Sequence, residues 1–161
     1  MKSVLSNRGL GIKAKKCLYE GVIVPTALYG AEVWGMRSAV RRNANVLEMK
    51  CLRSLVRVSR IDRVRNEEVR RRAGIEMELV SRADQNVLRW FGHVERMDDY
   101  RMGRYGQKGV DGRSQWGTGI RETEVGWMDG VKVAFGNRGM TVEAARQCAN
   151  DRKEWRALVH M

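Results

Sequence analysis

Apolar side chains return at steps of three and four along Leu79–Asp99. Val80, Ala83, Val87, Trp90, Val94 and Met97 share one face of a predicted helix of about five turns. Arg82, Arg89, His93 and Arg96 recur on a different face, which is left for solvent or anions. Each apolar side chain on the first face would contribute roughly 1.5–3 kcal/mol if fully buried. The spacing makes this helix the central strut, with Trp90 and the earlier Trp34 assigned to the core. A second helix is predicted over Ala39–Val58, where Val40, Ala44, Leu47, Cys51, Leu55 and Val58 form the inward row. Along it Lys50, Arg53, Arg57 and Arg60 step by 3, 4 and 3, a cationic stripe about 15 Å long at helical rise.

The remaining pattern is also helical. Met1–Leu10 reads as an irregular lead-in, followed by a helix over Gly11–Val24 with Lys13, Lys15 and Lys16 on exposed positions. Pro25 ends or kinks that helix, since it lacks a donor and clashes with the preceding turn. Thr26–Met36 reads as a second helical piece pausing at Gly30, with a short strand as the alternative. Asn66 is placed to cap a short helix that stops at Gly74, with Glu67 and Glu68 suited to its positive end. Six glycines fall within Gly103–Gly119, which reads as a basic loop between two subregions. Trp127, Val131 and Ala134 mark a helix ending near Gly139. Thr141 caps a last helix whose inner face is Ala145, Cys148 or Ala149, Trp155 and Val159. The expected fold class is mainly α.

Charge sharpens this picture. The 161-residue chain carries a formal +12. Residues 1–60 hold twelve Lys/Arg against Glu20, Glu32 and Glu48, a net +9. Such a field favours polyanions, either nucleic acid or an acidic membrane surface. Acidic partners four residues away are nearly absent from the Lys50–Arg60 stripe, which strengthens anion binding over a merely solvated face. No apolar run reaches the 18 or so residues of a membrane span, and the basic N-terminus lacks a signal-type core. An intracellular protein, nuclear or cytoplasmic and not secreted, is expected. Cys17, Cys51 and Cys148 are too few and too scattered for a disulfide framework or a zinc site.

Candidate chemistry is thin. Asp98 and Asp99 resemble a polymerase metal pair, but they sit at a predicted helix end between Arg96 and Arg101 with no strand beside them. They read as a solvated stop. The glycine-rich loop lacks the phosphate-loop pattern. No nucleophile–base arrangement is placed by spacing, so no catalytic site and no cofactor are expected. The helix, Gly74 turn and helix over residues 66–99 invite a helix-turn-helix reading, but the second helix is too long and apolar to offer a full reading face.

Four stretches, LYGAEVWGM (28–36), LEMKCLRSLVRVSRIDRVRNEEVRRRAGI (47–75), LRWFGHVERMDDYR (88–101) and WMDGVKVAFGNRGMTVEAARQCANDRKEWRALV (127–159), resemble in order the C-terminal region of non-LTR (LINE-type) retrotransposon endonuclease–reverse transcriptases. The resemblance covers about residues 10–161. It implies a thumb-like helical segment at 1–36, a basic helical region at 37–102, a Gly-rich linker at 103–126 and a C-terminal helical pair at 127–161. In such proteins this region follows the catalytic palm. The resemblance therefore implies a non-catalytic chain that contacts the backbone of template–primer or target nucleic acid. The expected phosphate contacts are Lys13, Lys15, Lys16, Lys50, Arg53, Arg57, Arg60, Arg82, Arg89 and Arg96. One departure is GRSQWGTGIRETEVG (112–126), where the family has a basic Gly-Arg-Pro-Arg stretch; it suggests a decayed element copy. The rival expectation is a degenerate product that only self-associates, through a thumb face of Leu18, Val22, Leu28 and Tyr29 left without its palm.

Overall fold

A computed structural model of the chain describes residues 2–33, 38–97 and 127–160. Every regular element among them is helical, so the fold class is mainly α. In chain order these are α1 (Lys2–Leu5), α2 (Ile12–Leu18), a π-helical turn (Tyr19–Ile23), α3 (Val24–Ala27), a 3₁₀ turn (Ala31–Val33) and α4 (Ser38–Val56). Then come α5 (Asn66–Ala73), α6 (Leu79–Glu95), α7 (Trp127–Gly136), α8 (Val142–Ala149) and α9 (Arg152–His160). Asp98, Asp99, Trp34 and the Gly103–Gly119 loop lie outside the described residues. The chain divides into two compact units: Met1–Tyr29 with Ser38–Arg82, and Gly30–Arg37 with Ala83–Met161. This grouping brings residues from both sides of the expected 36/37 boundary into the first unit.

In the first unit, Tyr19, Val24, Met49, Leu52, Leu55, Val69, Ala73, Ile75 and Leu79 form one buried cluster. The lead-in is not wholly irregular, because α1 packs on α4 and buries Leu5. The helical path does not stop at Pro25. The π turn widens it just ahead, and Pro25 then enters the first turn of α3, where a missing donor is harmless. The helical piece expected over Thr26–Met36 forms only in part among its described residues, at Thr26 and Ala27 of α3 and in the 3₁₀ turn, and no strand forms among them. A turn over residues 28–30 follows α3, with Gly30 left-handed, and then the 3₁₀ turn.

The α4 helix is shorter and rotated relative to expectation. Its buried residues are Glu48, Met49, Leu52 and Leu55, whereas Leu47, assigned to the core, is exposed. A buried carboxylate explains the rotation. Glu48 Oε2 accepts from Arg70 at 2.7 Å and Oε1 accepts from the Leu79 N–H at 2.9 Å, joining α4, α5 and the start of α6. Arg70 also meets Glu78 and Asn45. Arg57 ends α4 in the left-handed region, and the Val58 N–H reaches back to the Arg53 carbonyl, a closing turn normally given to glycine. Asn66 does not cap α5; its Oδ1 accepts from Arg53 instead. At the other end Gly74 adopts φ 67° and the Ile75 N–H bonds the Arg70 carbonyl, as the sequence leads one to expect.

In the second unit, α6 buries Ala83, Asp84, Gln85, Val87, Leu88, Phe91 and Gly92. The inward face is therefore turned by about one residue from the expected one, and Trp90 is 37% exposed rather than in the core. Phe91 meets Phe135 edge-on at 5.1 Å and Trp155 at 5.8 Å. Trp155 lies so close to Gly92 that a Cβ there would collide with its indole ring. The expected last helix is two helices. Thr141 caps α8 by accepting from the Ala144 N–H, and Asp151 caps α9 by accepting from the Lys153 and Glu154 N–H groups. Ala145, Ala149, Trp155 and Val159 are buried as expected.

Candidate functional site

The ten cations expected to contact phosphate have separate fates. In the first unit Lys13, Lys50 and Arg60 are exposed and make no side-chain hydrogen bond or ion pair among the described residues. Lys15 is 1% exposed, which contradicts its assignment to an exposed position. It lies one turn before the buried Tyr19, and its aliphatic stem serves as core. Burial, and then the Arg57 charge, lower its ammonium from the ordinary value. Lys16 donates to the Gly74 carbonyl, and Arg82 pairs with Glu20 at 3.1 Å.

The Lys50–Arg60 stripe does not exist as a straight row. The α4 helix ends at Val56, so Arg60 lies beyond it, and Arg57 turns to donate to the Arg8 carbonyl. Arg53 donates to the Ser59 and Val64 carbonyls and to Asn66 Oδ1, tying down the 57–65 segment. Arg53 is thus a structural clamp. The α5 arginines are also occupied: Arg71 and Arg72 share Glu68, whose carboxyl those bonds hold down at about 2. The α5–Gly74–α6 arrangement therefore presents few free cations from its first helix.

Arg89 and Arg96 belong to the second unit, and there cations do converge. With Arg152, Trp155, Arg156, Val159 and His160 they line a cleft of about 340 Å³. No carboxylate lines it among the described residues. Arg96 is fixed by donating to the Ala149 carbonyl at 2.6 Å, the C-terminal end of α8. Burial, and then the Arg152 charge, lower its guanidinium from the ordinary value, although it stays protonated at neutral pH. Arg89 reaches Asn86 Oδ1 and His160 Nε2, both at 3.4 Å. Arg152 and Arg156 project from successive turns of exposed α9 surface and have no side-chain partner among the described residues. Four guanidiniums around one concavity repel one another, and a bound anion relieves that repulsion.

A shallower groove of about 370 Å³ shares Arg89 and is otherwise lined by Glu32, Asn86, Trp90 and His93. The Trp90 and His93 rings stand 5.3 Å apart, tilted by 38°.

Sequence reasoning found Arg89 and Arg96 but missed Arg152, Arg156 and His160. The available signal was in DRKEWR, where Arg152 and Arg156 are four apart and flank the buried Trp155 on α9. Apolar spacing marks only the inner row of that helix.

Among the described residues no group of three or more His, Cys, Asp or Glu side chains is placed to hold a metal ion, and all three cysteines are free. No described helix is long and apolar enough to cross a membrane. No protein-family model, curated protein or solved structure matches the chain.

Proposed function

We propose that this chain is a non-catalytic nucleic-acid-binding region, of the kind that follows the palm in non-LTR retrotransposon reverse transcriptases. It would grip phosphates of RNA or DNA inside the cell through the arginine cleft of its second unit. The convergence of Arg89, Arg96, Arg152 and Arg156 without a lining carboxylate among the described residues carries this reading. Guanidinium forks match phosphate oxygens in pairs, and such contacts add affinity without sequence preference. Lys13, Lys50 and Arg60 of the first unit supply further exposed charge.

The test is an NMR titration of the isotope-labelled protein with a short RNA, following the arginine side-chain N–H signals. Shifts concentrated on Arg89, Arg96, Arg152 and Arg156 are expected, with those of Arg89 and Arg96 lost in an Arg152→Ala/Arg156→Ala variant. Shifts spread evenly over the basic surface would contradict the cleft. A second reading, self-association through the thumb-like face, draws on Val22 and Tyr29, which are 52% and 85% exposed. It predicts a mass in sedimentation that rises with concentration and falls on Tyr29→Ser substitution.

A further inference from the structure

We infer that the nucleic acid is held with one base unpaired and stacked on Trp90, beside the phosphate in the arginine cleft. This rests on the phosphate-binding reading of the cleft. The second unit offers two concavities of different chemistry that share Arg89 as a common wall. The cleft is cationic. The groove is aromatic and amphipathic, with a partly exposed indole, an imidazole, an amide and the Glu32 carboxylate.

Glu32 makes no side-chain hydrogen bond or ion pair among the described residues, so it disfavours a phosphate in the groove. It accepts N–H donors, which base edges carry and phosphates lack. The hydrophobic pattern around Trp90 points the same way. Val87, Leu88 and Phe91 are sealed in the core, whereas the larger indole one position away stands at the surface beside His93. An indole face next to a guanidinium is the arrangement on which unpaired bases stack, and a base inside a duplex has both faces covered. Hence the ligand class is single-stranded nucleic acid.

The experiment compares wild type with Trp90→Ala and Trp90→Phe. The probes are a uridine oligomer, a blunt RNA duplex of equal length, and inorganic tripolyphosphate. Stacking of one base implies that Trp90→Ala weakens oligomer binding about tenfold. Trp90→Phe should recover most of that loss. Duplex and tripolyphosphate binding, and the salt dependence of oligomer binding, should be unchanged. Tryptophan emission gives a readout that does not need the alanine variant to fold: quenching by the oligomer should be larger in wild type than in Trp90→Phe. Equal quenching, or equal oligomer affinity in a folded Trp90→Ala variant, overturns the stacking inference while leaving phosphate binding standing. Failure of wild type to bind any of the three probes overturns both.

Discussion

Glu48 shows how one side chain can set the orientation of a helix. It is 1% exposed, yet it satisfies the first N–H of α6 and neutralises Arg70. Buried charge of this kind is tolerated only when paired and hydrogen-bonded, and removing one partner strands the other. Arg70 keeps Glu78, so Glu48→Ala should cost about 3 kcal/mol, the lower end for a broken buried pair. Urea unfolding monitored by circular dichroism measures this; a change within about 0.5 kcal/mol, the range of ordinary surface substitutions, would contradict the role. Beside it, burial and then the Glu48 charge push the Tyr19 hydroxyl above its ordinary range. The folded protein therefore holds that proton more tightly than the unfolded chain does. Its contribution is fully present below about pH 10 and is lost as pH rises through the folded value. Stability measured from pH 9 upward should decline less steeply in Tyr19→Phe than in wild type. An identical decline would contradict it. None of this was legible in the sequence. A lone Glu in the middle of a basic predicted helix reads as solvated, because its partner Arg70 is 22 residues away and hidden in a run of three arginines.

Elements were more legible than faces. The steps of three and four located α4 and α6, and glycine at position 74 located the end of α5. The inward face of α6 differs from the one its apolar spacing predicts because its interior includes Asp84, Gln85 and Gly92, which a hydrophobic count leaves out. Gly92 is there for space, not for backbone freedom, since the Trp155 ring lies against it. Alanine would gain about 1 kcal/mol in helix propensity, but it must displace a rigid indole packed between Phe91 and Phe135. Overpacking of this kind costs about 1–3 kcal/mol. Gly92→Ala should therefore lower the melting temperature of the second unit and shift tryptophan emission. A raised melting temperature would show that the ring moves freely. The break between α8 and α9 was hidden for a related reason: Asp151 caps α9 inside a stretch whose apolar spacing runs straight through it.

For the whole molecule, a formal +12 points to a polyanion partner but does not say which cations converge. Most of the excess lies in the first sixty residues. There Lys15 is core, while Lys16, Arg53 and Arg57 hold carbonyls and loops together. The convergent set lies where net charge is less conspicuous, because Arg89 and Arg96 on or just after α6 meet Arg152 and Arg156 some 60 residues later. Such a site depends on helix packing and not on local spacing, so only half of it was legible. Its most direct test is the salt dependence of binding to a single-stranded RNA oligomer, from low to physiological ionic strength. Each phosphate contact on a single strand adds about −0.7 to the log–log slope. The account predicts a steep slope in wild type that is shallower by about 1.4 in Arg152→Ala/Arg156→Ala. An unchanged slope and affinity in that variant would contradict the account, leaving the arginine cleft a solvated surface.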